Sequence, residues 1–168
     1  MRNLGIHTEM LTDAIIDLYR AGVVNGSAKT MHPGKIVASF SIGSQTTYDT
    51  MHDNPDISFQ PVDVTNLQHL IIQNDRLTTM NNTTQMDLQG QAASESNGHR
   101  HISGSGGQLQ FVRAAYASNG GKSFICMSST YERHGERRSR AVAHPDYRDD
   151  LSPSRDARAN GLLPRSLV

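Results

Sequence analysis

"NLGIHTEMLTDAII", residues 3–16, decides how the chain is read. Its apolar patch, Leu4-Gly5-Ile6, is a short strand candidate. Thr12 is a good N-cap and Asp13 follows in the first turn. Ile15, Ile16, Leu18 and Tyr19 then recur at helical spacing until Gly22 stops the helix. Glu9 stands between strand and helix. One reading makes it an ordinary acid at a helix start, favoured by the helix dipole. The other holds it at the end of a strand, where a carboxylate, anionic at neutral pH, can attack an activated acyl group.

The alternation continues outward. "HPGKIVASFSIG" gives a turn and then a strand over Lys35 to Ile42. "SQTTYDTMHDNPD" reads as a short helix broken before Pro55, because the residue ahead of a proline is pushed out of the helical region. "ISFQPVDV" reads as a strand and "NLQHLIIQND" as a short helix. "RLTTMNNTTQMDLQGQAASES" alternates as two strands or one bent hairpin. "GHRHISGSGGQ" is a glycine-rich loop, and "QLQFVRAAYAS" a helix with Leu109, Val112, Ala115 and Tyr116 at helical spacing. "KSFICMSST" is another strand. Repeated strand, loop and helix predict an α/β fold, a layered sheet flanked by helices. From Tyr131 the character changes: "YERHGERRSR" is charged and reads as an exposed loop, and the end can hold one short helix and an extended terminus.

The 168 residues suit one domain of ordinary size. Only 36% are apolar, none is Trp, and Lys plus Arg (16) equals Asp plus Glu (16). Zero formal net charge argues against a general nucleic-acid binder. It is compatible with a homo-oligomer. No apolar run approaches the roughly 20 residues that cross a membrane. The N-terminus lacks a signal-peptide pattern, since Asp13 and Asp17 interrupt its apolar residues. The single cysteine, Cys126, cannot pair within the chain, which fits a reducing, cytoplasmic compartment.

Several residues are candidates for chemistry. In "SGSGGQ", Ser103 to Gln108, Gly104, Gly106 and Gly107 let the backbone approach a ligand and point N–H groups at one spot, ahead of a helix N-terminus. Such a loop holds a phosphate, stabilises an oxyanion, or is a plain tight turn. It is not a Walker A pattern. Glu95, in "SESNG", is a second carboxylate or a polar turn residue. His99 and His101 invite a metal, but no carboxylate or cysteine joins them at a diagnostic spacing, so no metal is expected. Cys126, between Ile125 and Met127, reads as buried and inert. The basic "ERHGERRSR" stretch reads as a solvated face, with a phosphorylated ligand as the alternative.

Taken together, "LGIHTEMLTDAIIDLYRAGVV", "HPGKIVASFSIGSQTTYD", "NPDISFQPVDVTN", "DLQGQAASES", "SGSGGQLQFVRAAY" and "GGKSFICMSST" resemble the acetyl-CoA hydrolase/transferase family, which includes 4-hydroxybutyrate, acetate and butyrate CoA-transferases. The resemblance runs from Asn3 to Arg140. It implies a CoA-transferase-like C-terminal catalytic domain, partial, over residues 1–140. It also implies that Glu9 is the nucleophile of a ping-pong reaction between an acyl-CoA and a short-chain carboxylate, through a mixed anhydride and a glutamyl-CoA thioester. Water as acceptor would give hydrolysis. Gly104, Gly106 and Gly107 would supply N–H groups to CoA or to an oxyanion. CoA thioester is substrate, and no metal or redox cofactor is required. Glu95 resembles the Ser-Glu-Asn-Gly signature of a more distant branch, with an extra serine.

Three departures from the family pattern qualify these expectations. Family members carry a large N-terminal half ahead of the segment matching "LGIHTEM", and that half is the expected missing partner. In "RRSRAVAHPDYRDDL" the sequence passes directly to a tail, residues 141–168, that resembles the family's extreme C-terminus; several dozen residues with a Thr-Glu-Tyr-Gly motif are skipped. Gln110 stands where an Asp is usual. The sequence therefore reads as a C-terminal fragment with an internal deletion. It is expected to be poorly stable alone, with unpaired edges and uncovered apolar faces. A truncated fragment or pseudoenzyme with at most CoA binding, and a generic nucleotide-binding module, are the competing readings.

Overall fold

The computed structural model describes residues 2–97 and 100–142. It mixes helices with several small sheets and divides into two units, Met1–Leu77 with Gln110–Lys122, and Thr78–Leu109 with Ser123–Val168.

In the first unit, β1 (Met10–Leu11) leads into α1 (Asp13–Arg20), and β2 (Ile36–Ala38) and β3 (Phe40–Ser41) follow. α2 (Gln45–Met51), β4 (Ile57–Phe59), α3 (Val62–Thr65) and α4 (Gln68–Ile71) complete the run. The segment 36–41 lies centrally. On one side Met10 and Leu11 pair in parallel with Phe40 and Ser41, and His7 bridges Val37. On the other, Ile36, Val37 and Ala38 pair in parallel with Ile57, Ser58 and Phe59. Both edges of this segment are thus paired, the faces of parallel sheets are covered by the helices of their crossovers, and all of Ile36, Val37 and Ala38 are buried. The core packs Leu11, Ile16, Val24, Ile36 and Ala38 against Leu4, Ile6, Ile15, Tyr19, Met51 and Ile57.

Several boundaries differ from the sequence reading for identifiable reasons. Leu4–Ile6 is not a full strand; Leu4 only bridges Val24, His7 bridges Val37, and the first strand proper is Met10–Leu11. The strand expected over Lys35 to Ile42 is interrupted at Ser39. "ISFQPVDV" is a strand only to Phe59, because Pro61 lacks an N–H and the chain then turns into α3. Thr12 occupies the N-cap of α1 without a side-chain cap bond. Asp13 reaches forward instead: its Oδ1 accepts the Ser44 N–H at 2.7 Å and the Thr47 hydroxyl, tying α1 to the start of α2. The Thr47 hydroxyl, then the Ser44 N–H, hold that carboxyl below the usual range. Leu18, in the expected apolar stripe, is exposed.

α5 (Gln108–Ala117) begins in the second unit and runs into the first. Its buried face is Phe111, Val112, Ala114 and Ala115, and Ile71 and Leu77 pack with Phe111 and Ala114. Tyr116, expected on that face, is exposed.

In the second unit the polar stretch after Arg76 holds three strands rather than two: β5 (Thr78–Asn82), β6 (Gln85–Asp87) and β7 (Ala92–Ala93). Asp87 builds the β6–β7 turn, its Oδ1 accepting the N–H groups of Gln89 and Gln91 at 2.9 and 2.7 Å. β8 (Ser96–Asn97) pairs antiparallel with β9 (Arg100–His101), so the region read as a loop, residues 98–108, holds one strand of a pair. β10 (Lys122–Cys126) pairs with β5. The expected exposed loop 131–140 is a hairpin, β11 (Thr130–Arg133) with β12 (Glu136–Ser139). Its turn residues, His134 and Gly135, both have positive φ, as a type I′ turn requires. β13 (Ala141–Val142) pairs in parallel with β6. The rest of the tail, and His99, lie outside the described residues. Cys126 is exposed rather than buried, because β10 alternates and turns Lys122, Phe124 and Cys126 outward.

Candidate active site

Glu9 lies where the ladder between the first segment and the central strand is interrupted. Its carbonyl accepts two N–H groups, from Ser39 at 2.9 Å and Phe40 at 3.1 Å. Interruptions of this kind re-aim a side chain without ending the pairing. The Glu9 side chain is half-buried, and its Oε2 accepts a hydrogen bond from Asn66 Nδ2 at 2.6 Å. That short, charge-assisted bond fixes one carboxylate oxygen.

Asn66 is held in turn. Its N–H donates to the Val62 carbonyl at 2.9 Å, at the end of α3. The hydroxyl of Thr65, fully buried, donates to Asn66 Oδ1 at 3.0 Å. Ser39 and Thr65 hydroxyls are bonded to each other. The Thr65 carbonyl accepts from His7 Nε2 at 2.9 Å. Ser39 directly follows β2, and the turn from Gln60 to Asn66 follows β4. The cluster therefore sits at the carboxyl ends of parallel strands, where α/β folds place their sites.

His7 packs against Phe111, with ring centroids 6.3 Å apart, and its Nδ1 is buried without a partner. Burial pushes this imidazole below its ordinary range; the charges of Lys29 and His32 act in the same direction, and the bond to the Thr65 carbonyl opposes them. Lys29 crosses the same unit, its Nζ donating to the carbonyls of Ile6 and Lys35, both at 2.8 Å. Burial brings its amine down to about 8.

In the second unit, Glu95 is buried, and its backbone carbonyl accepts from Ile102 N–H at 2.7 Å and Ser103 N–H at 3.2 Å, clamping the entry to the glycine loop. Gly104 is exposed, with open space where a Cβ would stand. Gly106 has φ +54° and Gly107 is buried just ahead of α5. His101, the described member of the histidine pair, is exposed on β9. Glu9 thus belongs to the first unit, and Glu95, Gly104, Gly106 and Gly107 to the second.

Residues 43–142 match the family described as acetyl-CoA hydrolase/transferase C-terminal domain. The chain belongs to this family. Among its relatives, the succinyl-CoA:cyclohexane-1-carboxylate CoA transferase of Geobacter metallireducens is 49% identical over 77% of the chain and 30% of its own length. The 4-hydroxybutyrate coenzyme A transferase of Clostridium kluyveri is 46% identical over the same shares. RipA from Yersinia pestis superimposes with a TM-score of 0.79 at 44% identity, over 88% of this chain and 33% of that one. The chain thus spans about three tenths of the length of the curated relatives it matches. Among the described residues no helix is long and apolar enough to cross a membrane.

Sequence reasoning singles out Glu9 but not the residues around it. His7 carries a weak local signal, since two residues apart in an extended segment share a face. Ser39, Thr65 and Asn66 carry none: they come from two other segments and meet Glu9 only through strand pairing.

Proposed function

We propose that the chain supplies the nucleophile of an acyl-CoA:carboxylate CoA-transferase, and that Glu9 is that nucleophile. The Asn66–Glu9 bond of 2.6 Å carries the reading. A surface acid at a helix start has no need of a half-buried, pre-oriented carboxylate; a nucleophile does. In the reaction Glu9 Oε1 attacks the thioester carbon, the C–S bond breaks, and CoA leaves as thiolate with a mixed anhydride on Glu9. The thiolate then attacks the glutamyl carbonyl. A glutamyl-CoA thioester forms and the acyl group departs as a carboxylate. A second carboxylate reverses both steps and leaves as the new acyl-CoA, while water in its place gives hydrolysis. The thioester's activation is kept in a covalent bond throughout, with no metal or redox cofactor.

For the second unit we assign Gly104, Gly106 and Gly107 the binding of a CoA or oxyanion oxygen through backbone N–H groups. The open space at Gly104 and the helix start at Gln108 support this. The acyl-CoA and carboxylate partners, the remainder of the enzyme as a further partner, and a cytoplasmic setting belong to the same proposal. Its test is the intact mass of the chain after incubation with acetyl-CoA, with Glu9→Ala as control. A CoA thioester mapped to Glu9, absent in the variant, is expected. A folded chain that binds CoA without any adduct would leave only the reading of a CoA-binding portion without its own chemistry.

A further inference from the structure

We propose that Ser39 and Thr65 are positioning residues that fix which end of the Asn66 amide faces Glu9. The inference rests on the assignment of Glu9 as nucleophile for its purpose, but not for its geometry. An asparagine side chain presents either N–H or C=O to a neighbour, and only N–H can bond an anionic carboxylate. The choice is made on the far side of the amide. Thr65 has one hydroxyl proton, and it goes to Asn66 Oδ1 at 3.0 Å. The Ser39 hydroxyl must then be the donor in its bond to Thr65. The resulting order is Ser39 O–H to Thr65, Thr65 O–H to Asn66 Oδ1, and Asn66 Nδ2–H to Glu9 Oε2 at 2.6 Å. Every donor points towards the carboxylate, and each bond polarises the next.

The relay is anchored from both ends. Thr65 is fully buried, and its carbonyl is tied to His7 Nε2 at 2.9 Å. The Ser39 N–H bonds the carbonyl of Glu9 itself at 2.9 Å, so the first donor of the relay and its final acceptor are also joined through a backbone hydrogen bond. A helix ending at Thr65 needs a buried residue there. It does not need a hydroxyl there, nor a second hydroxyl from Ser39.

The test is the side-chain amide spectrum of Asn66 in the 15N-labelled full chain, with Thr65→Val, Thr65→Ser and Ser39→Ala. In the unsubstituted chain the Glu9-bonded amide proton is expected further downfield than in an ordinary asparagine, and Glu9→Ala should move it back upfield. Thr65→Val should move that proton upfield and Thr65→Ser should restore it. Ser39→Ala, at a half-buried position, should produce a smaller shift in the same direction and serves where the valine variant does not fold. In parallel, adduct formation at Glu9 should slow about tenfold to a hundredfold in Thr65→Val and recover in Thr65→Ser. Amide resonances unchanged in folded Thr65→Val, or in Ser39→Ala, would overturn the relay. Absence of any CoA adduct in the unsubstituted chain would instead sink the proposed function, while the amide spectrum still decides the relay.

Discussion

Asn66 Nδ2 donates to Glu9 Oε2 across 2.6 Å, so the residue that ends α3 orients a carboxylate 57 positions earlier in the chain. A hydrogen bond to a charged group contributes about 1.5–3 kcal/mol. Asn66→Ala should therefore slow formation of a CoA adduct at Glu9 about tenfold to a hundredfold, read as the rate of mass gain with acetyl-CoA. Asn66→Asp should be slower still, because it sets a second anion against the carboxylate. Unchanged rates in both would remove Asn66 from the site.

The helix after Thr12 and its stop at Gly22 are legible locally, because an extended residue ahead of the first turn and a positive φ behind the last are local demands, even though Thr12 makes no side-chain cap bond. The break at Ser39 is not, because it arises from Glu9, thirty positions away, taking two N–H groups of the central strand. Tyr116, placed by helical spacing, and Cys126, placed by its apolar neighbours Ile125 and Met127, are misplaced for a related reason. A periodic pattern fixes which residues share a face, and packing decides which face is covered. Glu9 and the glycine loop are singled out by family resemblance rather than by residue chemistry. Asn66, Thr65 and Ser39 are polar residues of ordinary type, and only the parallel pairing of 36–41 with both neighbours gathers them.

Backbone clearance at Gly121 gives a stability prediction. A Cβ there would stand 1.9 Å from the carbonyl oxygen of Ala115 in α5, which cannot swing aside. Gly121→Ala should destabilise by about 3 kcal/mol, the upper range for forced overpacking. Gly22 has φ +67° and nothing within 4 Å, so Gly22→Ala meets only backbone strain of about 1 kcal/mol. Urea midpoints compare the two directly. Equal shifts would mean that the close approach at Ala115 relaxes freely.

Gly5 is required by a side chain. A Cβ at this position would lie 2.1 Å from Lys29 Cγ and 2.8 Å from its Cδ. Gly5→Ala should displace Lys29 from the Ile6 and Lys35 carbonyls and destabilise by about 1–3 kcal/mol. Lys29→Ala removes the colliding atoms. In a double-mutant cycle the Gly5→Ala penalty should largely vanish in that background. Strict additivity would contradict the collision.

Lys29 also sets a pH dependence. Folding lowers its amine from 10.5 to about 8, through burial, so the native chain gives up this proton more readily than the unfolded chain. Between those values the unfolded chain holds a proton that the native chain has released, and stability from this group rises with pH. It is fully present above 10.5 and is lost as pH falls through 8. His7 follows the same sign at lower pH: its stabilising contribution is present above 6.5 and declines as pH falls towards its lowered native value. Urea unfolding of the chain and of Lys29→Met, compared from about pH 7 to about pH 11, isolates the lysine. The unsubstituted chain should gain on the methionine variant across that interval. A difference that stays constant with pH would mean that Lys29 keeps its ordinary ionisation in the folded state.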